Sequence, residues 1–517
     1  MGILTANGRK WTRMRPENGN FSRKTGNGQE NRMGIARGPK SEVGGPNGDT
    51  SGCSAGPGGE VKRLFWRFLL HFEAERRKSG VILRPEGRGM LEFIQSSLGT
   101  VLDAAIAATC ALSGVYCAFT AAALAFRRNR PAEAGLPAGA SWPKVTVQIP
   151  TYNELAALNC ARCCLAFDYP ADRLQILIGD DSSRPEISAA IDGFARENPR
   201  VQVCRRGRNA GYKPGNLNHM LARTTGDYLL ILDSDFLPER DFLRRLAAPA
   251  ARDPDLAGVQ ASWRVANARQ NYSTLMGAGI VNVIHAVILP VMKRLARTGM
   301  FCGSAELVRK DLLAELGGWT VGALTEDVDY SLRVLAAGRR IEYLEGLACS
   351  CETPHTPGDL FRQQMRWAYG VMRALMAHGP RLLFSRPVRK RTKTAVACFC
   401  GGYLMVALML ATAGLGALHV AVGWAAGAPT VGGPAGGGLG TLVNFALTCG
   451  MLVSSVCAGF VSGLGARSAQ KLVAASLSIG VVLLFFVGQG LVKALLGLPM
   501  NWFMLKKNGN EQALTAV

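Results

Sequence analysis

Four long apolar segments constrain the fold of this chain more than any other feature of its sequence. Residues 104–126, 395–418, 439–461 and 472–492 contain no charged side chain. As a helix, each segment is long enough to cross the hydrocarbon core of a bilayer, which is about 30 Å thick. Mean hydropathy is +0.12 even though the chain carries 59 Lys and Arg. We therefore predict an integral membrane protein that has the lipid bilayer as a partner.

Much of the positive charge of the chain lies beside the apolar segments. The formal net charge is +22. Many of the cations lie beside the apolar segments, including Arg127, Arg128, Arg130 and the run 386–393. Cations at the cytosolic ends of membrane helices follow the positive-inside rule and face anionic lipid. The sequence contains no module that combines basic and aromatic residues for nucleic-acid binding, so we expect no nucleic-acid partner.

The apolar segments also divide the chain into units. Residues 1–96 form a basic region in which 1–60 are predicted to be disordered and 61–72 to form an amphipathic helix on a membrane surface. The cations after the first apolar segment place the following domain in the cytoplasm, at an inner or plasma membrane. The remaining units are a transmembrane helix over 97–127, a catalytic domain over 143–385, three transmembrane helices over 394–498 and a tail over 499–517.

Two details of this topology stay open. A single crossing before a cytosolic domain places the basic residues 1–96 on the opposite side, against the positive-inside rule. A translation start at Met90 would remove the conflict, and N-terminal sequencing that found Met1 or Gly2 in natively expressed protein would exclude that hypothesis. Three late spans place the tail opposite the domain, which Lys506 and Lys507 disfavour.

The region between the first and the later spans alternates short strands with helices. This order is typical of a doubly wound α/β domain. The apolar stretch 275–291 contains His285 and lies inside this region, so we interpret it as a core or interface helix rather than a span. Strands are predicted at 145–149, 174–179, 201–204, 228–232 and 259–263, and helices at 154–167, 186–197, 215–223, 310–316 and 357–378.

The segment Tyr228-Leu229-Leu230-Ile231-Leu232-Asp233-Ser234-Asp235 predicts a buried strand that ends in two carboxylates. In an open α/β sheet, ligands bind beyond the carboxyl ends of the strands. Two hard oxygen donors in so short a span suit Mg²⁺ or Mn²⁺, which also take phosphate oxygens and waters as ligands. The alternative is a turn that caps the next helix, and this segment alone leaves both interpretations open.

The fourteen cysteines do not form the framework of a small disulfide-rich domain. Cys160, Cys163 and Cys164 have a spacing that zinc sites use, and Cys349, Cys351 and His355 follow far downstream. We expect buried free thiols of a cytosolic domain, with a zinc site as the alternative. His355 has no predicted role beyond a solvated or structural histidine.

Six motifs together give the chain a family resemblance. It resembles the processive family 2 glycosyltransferases, which include the cellulose synthases, the hyaluronan synthases and, most similar, the plant mannan and glucomannan synthases with their bacterial relatives. The resemblance covers residues 145 to about 370, with the motifs in the same order and spacing. The motifs are Gln148-Ile149-Pro150-Thr151-Tyr152-Asn153-Glu154, Asp180-Asp181-Ser182-Ser183, Gly211-Tyr212-Lys213-Pro214-Gly215-Asn216, Asp233-Ser234-Asp235, Thr325-Glu326-Asp327 and Gln363-Gln364-Met365-Arg366-Trp367.

This resemblance implies an α/β GT-A (Rossmann-like) catalytic domain combined with transmembrane helices. The implied activity is inverting, metal-dependent transfer of a sugar from a nucleotide-sugar donor, with UDP-glucose favoured, onto a growing β-linked polysaccharide acceptor. Export of the product, with accessory subunits, is a further expectation. The rival interpretations are transfer of a single sugar to a lipid acceptor and a membrane transporter or scaffold without enzymatic activity. A transporter predicts ionisable residues inside the spans, and only Asp103, His419 and Lys493, at the span edges, come near that description.

The implied donor site has two parts. Asp233 and Asp235 would hold Mg²⁺ or Mn²⁺, which neutralises the charge that builds on the leaving diphosphate. Lys213 and Arg366 would bind the diphosphate oxygens, and surface ion pairs are the alternative for both. The remaining residues assigned to the donor are Tyr152, which packs against the base, Glu154, Asp180 and Asp181 beside the nucleoside, and Gln363 and Gln364, which bond the diphosphate or the acceptor.

The implied acceptor site centres on Asp327, the family's general base. Trp367 would stack on the acceptor sugar, and a core tryptophan near the membrane is its alternative. Glu326 is placed beside the acceptor, with a purely structural role as the alternative. One loop departs from the mannan synthases, which have Phe-Asn-Gly-Thr-Ala-Gly where this chain has Phe301-Cys302-Gly303-Ser304-Ala305-Glu306. Because that loop adjoins donor and acceptor, the identity of the sugar does not carry over.

Overall fold

The computed structural model of the protein describes residues 85–127, 141–427 and 449–503. The predicted disordered region 1–60, the predicted helix 61–72 and most of the tail lie outside these residues. Of the predicted span 439–461, the structure describes Gly450–Val461. The first apolar helix begins at Pro85, earlier than predicted, and ends at Arg127.

The described chain forms seven strands and thirteen α-helices, with a π-helical turn at Ile284–Ile288 between α6 and α7. The strands are β1 Val145–Thr151, β2 Leu174–Asp180, β3 Val201–Arg205, β4 Tyr228–Ile231, β5 Leu256–Val265, β6 Glu306–Arg309 and β7 Arg340–Cys351. The helices are α1 Pro85–Arg127, α2 Ala156–Leu165, α3 Pro185–Glu197, α4 Tyr212–Leu221, α5 Phe242–Arg252, α6 Tyr272–Val283, α7 Leu289–Ala296, α8 Lys310–Glu315, α9 Glu326–Ala336, α10 Pro357–Phe384, α11 Lys390–Ala426, α12 Gly450–Val461 and α13 Ala466–Leu495.

The strands form one mixed sheet in the order β3-β2-β1-β4-β6-β5-β7. Strands β1 to β4 are parallel to one another, β6 runs antiparallel to its neighbours β4 and β5, and β5 pairs in parallel with β7. This mixed, helix-covered sheet confirms the predicted GT-A-like fold class. Neither β6, β7 nor α5 was predicted from the sequence.

The core of the domain explains why these segments became central strands. Val147 and Ile149 of β1 and Leu230 of β4 are completely buried in one apolar cluster against α2, α3 and α5. Leu229 and Ile231, which point to the opposite face of β4, are completely buried in a second cluster against α4 and α9. A strand that is buried on both faces reads as a continuous apolar run, which is the pattern that predicted it.

A close approach of α4 to the sheet fixes the position of the site. The Asn216 side chain donates to the Gly179 carbonyl at 2.8 Å, and a Cβ on Gly179 would collide with that same side chain. Glycine is therefore required at the end of β2, because only hydrogen lets α4 dock this closely. Docking of α4 carries Lys213, in its first turn, to the edge of the sheet where β4 ends.

Four of the described helices are long and apolar enough to cross a membrane by length and composition: α1, the helical run Tyr272–Ala296, α11 and α13. The run Tyr272–Ala296 differs from the others because 78% of its most apolar stretch is buried within the protein, compared with 6% in α11. Its burial agrees with the prediction of a core or interface helix.

Helix α13 was predicted to be the last span, and it packs closely against α10 and α6. Phe486 stacks on Phe361 of α10 with ring centroids 4.9 Å apart, and Leu472 is in contact distance of Gly279 in α6. The residues that follow α13 return to the domain, because Trp502 lies 6.1 Å from the Tyr212 ring. The start of the tail therefore lies on the same side of the molecule as the domain.

Candidate active site

One cavity of about 220 Å³ lies beyond the carboxyl ends of β1 and β4. It brings together most of the residues that the sequence singled out: Tyr152, Glu154, Asp181, Lys213, Asp233, Asp235, Glu326, Asp327, Gln363, Arg366 and Trp367. Asp180 and Gln364 do not line it. These residues come from the segments that follow β1, β2 and β4 and from α4, α9 and α10, so the cavity exists only in the folded domain.

Asp180 and Asp181 are separated by the geometry of β2. Asp180 is completely buried, and its carboxylate accepts from Ser188 Oγ at 2.6 Å and from Arg205 Nη2 at 2.7 Å. Burial opposes ionisation, but these donors outweigh it and hold the pKa of Asp180 below its ordinary value. Asp181 faces the cavity instead, and its Oδ1 accepts from Arg206 Nε at 2.8 Å. Asp180 therefore holds the loop that presents Asp181.

One end of the cavity is aromatic. Tyr152 follows β1, and its ring lies edge-on to Trp502 with centroids 6.2 Å apart. Tyr212 stacks on Trp502 with ring centroids 6.1 Å apart and an interplanar angle of 24°. Trp502 and Tyr212 were not predicted. Tyr212 lies inside the Gly-Tyr-Lys-Pro-Gly-Asn motif and could have been found there, whereas nothing in the sequence indicates that Trp502 returns to the domain.

An acidic cluster surrounds Lys213 at the centre of the cavity. The Lys213 ammonium lies 2.7 Å from Asp233 Oδ1 and 3.0 Å from Glu326 Oε1. It also donates to the carbonyl of Gly303. Burial alone would lower the pKa of Lys213, but the charges of Asp233 and Glu326 outweigh burial and hold that pKa above its ordinary value. Glu326 is thus an ion-pair partner of Lys213. This contact agrees with the alternative that Glu326 has a structural role.

The donor set at this cluster fits a divalent cation. Asp233 and Asp235 supply carboxylate oxygens, and Asp235 is oriented by the Glu352 backbone N–H, which donates to Oδ2 at 3.1 Å. In the described ranges, no group of three or more His, Cys, Asp or Glu is arranged to hold a metal, so neither a fully protein-bound ion nor the alternative zinc site is found there. A hard cation that takes two carboxylates and completes its shell with phosphate and water matches this set.

Asp327 lies in the first turn of α9, next to Glu326. A Cβ on Gly303 would come within 3.4 Å of Asp327 Oδ2, so the loop that departs from the mannan synthases lies close to this carboxylate. Burial raises the pKa of Asp327 to about 7, with a further contribution from the charge of Glu326 and opposition from Lys213. A carboxylate with such a pKa can accept a proton near neutral pH.

Glu306, at the start of β6, is a buried acid that the sequence did not assign to the site. Its Oε2 accepts from the backbone N–H of Gly303 at 2.9 Å and of Cys302 at 3.2 Å. Burial raises the pKa of Glu306 to about 8, assisted by the charge of Asp327 and opposed by Lys213. Glu306 therefore shapes the Cys302–Gly303 loop that lies against Asp327 and Lys213.

Helix α10 supplies one wall of the cavity. Gln363, Arg366 and Trp367 are spaced three and four residues apart and so share a face of the helix. Arg366 Nη1 donates to the Leu324 carbonyl at 3.1 Å, while its Nε is buried without a partner within the described chain. Burial lowers the pKa of Arg366. An unpaired buried donor on a guanidinium group is a ready contact for an anionic ligand.

The cavity lining includes two further residues that were not predicted to bind ligand. Trp263 of β5 stacks on His285 with ring centroids 5.0 Å apart, and the Trp263 indole donates to the Ser304 carbonyl at 3.0 Å. His285 lies in the π-helical turn, is buried, and its Nδ1 has no partner in the described chain. Single π-helical turns occur often at functional sites.

The comparisons with known proteins agree with this geometry. Residues 143–370 match the family described as glycosyltransferase like family 2. The chain is 32% identical over 258 residues to the UDP-forming cellulose synthase catalytic subunit of Komagataeibacter sucrofermentans, which covers 47% of this chain and 32% of that protein. It is also 32% identical over 239 residues to glucomannan 4-beta-mannosyltransferase 2 of Arabidopsis thaliana, covering 44% and 45% of the two chains.

Among solved structures, a mannosyltransferase from Pyrobaculum calidifontis in complex with GDP-Man and Mn²⁺ superposes with a TM-score of 0.51 at 20% identity. The superposition covers 77% of this chain and 99% of that one, which supports a shared fold. The chain spans about a third to a half of the length of the curated relatives that it matches. Its central residues, 143–370, constitute a family 2 glycosyltransferase domain.

Proposed function

We propose that the chain transfers a sugar from a nucleotide-sugar donor, with UDP-glucose favoured, onto a growing β-linked polysaccharide. The observation that carries this proposal is that one cavity is lined by Asp233 and Asp235, by Asp327 and by Trp367. These residues provide a cation site, a base and a sugar-stacking surface within reach of a single substrate pair. The curated relatives, a cellulose synthase and a glucomannan mannosyltransferase, support the class of product.

The aromatic end of the cavity binds the nucleoside in this proposal. The rings of Tyr152, Tyr212 and Trp502 supply flat apolar surfaces for the base. Asp181, oriented by Arg206, is the polar partner for donors on the nucleoside. Glu154, which accepts from the Ser234 hydroxyl, links the loop after β1 to the loop after β4 and so joins the nucleoside end to the cation end.

The diphosphate lies at the centre. Lys213 and Arg366 place two positive groups at the cavity, and the free Nε–H of Arg366 is available to a phosphate oxygen. Asp233 and Asp235 would hold Mg²⁺ or Mn²⁺, which when bound supplies Lewis-acid stabilisation of the departing diphosphate. Gln363 faces the same space and can donate a hydrogen bond to either substrate. Gln364 Nε2 donates to Gln363 Oε1 at 3.4 Å.

Asp327 acts as the general base. The acceptor hydroxyl attacks the anomeric carbon, the bond from that carbon to the diphosphate breaks, and the hydroxyl proton passes to the Asp327 carboxylate. Attack by the acceptor from the side opposite the leaving group inverts the anomeric configuration in one step. Trp367 would stack on the acceptor ring, and Trp263 with His285 would extend the acceptor surface away from the donor.

The proposed location is an integral membrane protein with its domain on the cytoplasmic face. Helices α1 and α11 support this location because they are long and apolar and little of their surface is covered by protein. Export of the product, alone or with accessory subunits, is an extension of the proposal. Its test is transport of nascent glucan into sealed vesicles that contain only this protein, and product found solely on the donor side would contradict export.

The experiment that tests the reaction offers UDP-glucose, GDP-mannose, UDP-N-acetylglucosamine and UDP-galactose in turn to membrane-reconstituted protein with Mg²⁺ or Mn²⁺. We expect nucleotide release from one donor, with a polymer as the product. Release with a single sugar on a lipid would replace the polymer proposal by lipid glycosylation. Absence of release from every donor, with folded protein, would contradict the proposal and favour a scaffold.

A further inference from the structure

The C-terminal part of the chain carries an unusual charge pattern. Between Asp359 and Glu511 there is no acidic residue, but there are fourteen Lys and Arg. Six of these cations fall within the turn that joins α10 to α11, which we call the basic turn and define as residues 381–393. They are Arg381, Arg386, Arg389, Lys390, Arg391 and Lys393.

The cations of the basic turn are not neutralised by the protein. Within the described chain, none of them forms an ion pair with a carboxylate, and all but Lys393 are exposed. Lys393 donates to the Leu383 carbonyl at 2.6 Å and so closes the turn. Leu382 and Val388 are buried and anchor the turn in the core. The turn is therefore a folded element that presents uncompensated positive charge.

Apolar side chains protrude beside these cations. Leu383 is 59% exposed and Phe384 is 79% exposed at the end of α10. The turn then leads directly into α11, whose most apolar stretch is only 6% buried by protein. Exposed apolar residues next to cations at the end of an apolar helix match the boundary between acyl chains and phospholipid headgroups. A nucleic acid would complement the cations but leave Leu383 and Phe384 in water.

The basic turn is mechanically connected to the active site. It follows α10, the helix that carries Arg366 and Trp367. Ser385 Oγ donates to the Ala336 carbonyl of α9 at 3.3 Å, and His378 of α10 lies 2.7 Å from Asp329 of α9. Helix α9 carries Asp327. Any ligand that fixes the basic turn therefore also fixes the two helices that supply the base and the acceptor surface.

We propose that the basic turn binds the headgroups of anionic phospholipids and that this binding supports turnover by holding α10 in place. The inference rests on the proposed membrane location and the proposed transferase activity. Each Lys or Arg near an anionic surface contributes favourable electrostatic energy, and several together bind strongly.

Two variants with equal loss of charge test this proposal in full-length protein. The first is R386Q/R389Q/K390Q/R391Q, which neutralises four exposed cations of the turn. The matched control, R196Q/R200Q/R240Q/R252Q, neutralises four exposed cations of the sheet domain. Both are reconstituted in nanodiscs of neutral phosphatidylcholine and in discs that also contain phosphatidylglycerol. Retained phosphatidylglycerol is counted by native mass spectrometry after extraction, and donor turnover is measured separately.

We expect wild type and control to retain phosphatidylglycerol and to turn over several-fold faster in the anionic discs. The turn variant is expected to retain at least about tenfold less of this lipid and to lose the stimulation, while keeping the wild-type rate in neutral discs. Equal lipid retention by the turn variant and the control would overturn the proposal. The proposal would also be overturned if inorganic phosphate displaced the retained phosphatidylglycerol as effectively as added phosphatidylglycerol does. If no sample turns over donor, the proposed reaction is contradicted. The amount of retained phosphatidylglycerol still decides whether the basic turn binds the lipid.

Discussion

His378 Nε2 lies 2.7 Å from Asp329 Oδ1 and joins α10, the helix of Arg366 and Trp367, to α9, the helix of Asp327. Asp329 is buried and also accepts from Thr320 Oγ1 at 2.7 Å. Burial opposes ionisation of Asp329, but these donors and the charge of Arg333 outweigh it and keep its pKa below the ordinary value. The pair therefore links the two walls of the cavity through an ionised carboxylate.

Replacing His378 with Leu should misalign these walls without unfolding the domain. Thr320 and Arg333 still bond Oδ2 of Asp329, but Oδ1 loses its partner, so we expect a loss of about 1–3 kcal/mol in unfolding free energy. We expect kcat to change more than donor KM, and to fall, because the acceptor wall moves relative to the base. His378→Gln, which keeps a donor, is the control. Equal kcat in His378→Leu and wild type would show that the link has no role in catalysis.

The pH dependence of turnover should report Asp327. Its carboxylate must be ionised to accept the acceptor proton, so activity is expected to rise with pH as the group loses its proton. The pKa of about 7 places this rise near neutrality. A bound divalent cation adds positive charge to the cavity, which favours the ionised form of Asp327. With the cation bound, the rise in activity is therefore expected at this pH or below it. A rate that falls as pH rises from 5 to 8 would contradict the assignment of Asp327 as the base.

Glu306 should make the protein less stable as pH rises. Its pKa in the folded protein, about 8, lies above its ordinary value of 4.5, so folding favours its protonated form. The contribution of Glu306 to stability is complete below about pH 4.5 and is lost as pH rises towards 8. Glu306→Gln keeps an acceptor for the Cys302 and Gly303 amides but cannot ionise.

Thermal unfolding of wild type and Glu306→Gln across this pH range measures the effect. We expect the Tm difference to grow in favour of the variant from pH 5 to pH 8 and then to level off. A constant difference over this range would show that Glu306 ionises as easily in the folded protein as in the unfolded chain.

Trp502 should contribute to donor binding because it lines the cavity and its ring contacts both Tyr152 and Tyr212. Stacking of a base on an aromatic side chain is worth roughly 1–3 kcal/mol. We therefore expect Trp502→Ala to weaken donor affinity by about tenfold, with a smaller effect in Trp502→Phe. Isothermal titration of the reconstituted protein with the donor provides the measurement. Unchanged affinity in Trp502→Ala would exclude a contact between this ring and the base.

The sequence was most informative where one local pattern determines the position of a residue. The apolar run of β4 predicted a buried strand, and the rule for open sheets placed Asp233 and Asp235 at the mouth of the cavity. The order of the motifs likewise predicted that residues from distant segments meet in one site. The structure brings most of them to the lining of one cavity.

Residues that act through tertiary contacts could not be predicted in this way. Trp502 reaches the cavity because α13 packs along α10, and hydropathy does not distinguish such a helix from a span. Glu306 looks like an ordinary strand residue until β6 is seen to begin close to Asp327 and Lys213. The alternation of side chains along a strand separates Asp180 from Asp181, but the adjacent motif residues alone do not show which one faces the cavity.

The most direct test of the central claim compares donor binding and turnover in Asp327→Asn. The substitution preserves size and removes the carboxylate charge together with the ability to take up a proton from the acceptor. The account predicts that the reconstituted variant binds the nucleotide sugar with an affinity close to that of wild type, in the presence of Mg²⁺ or Mn²⁺, and releases nucleotide at least about a hundredfold more slowly. Turnover at the wild-type rate would contradict the account, because the cavity would then work without the base on which the proposed reaction depends.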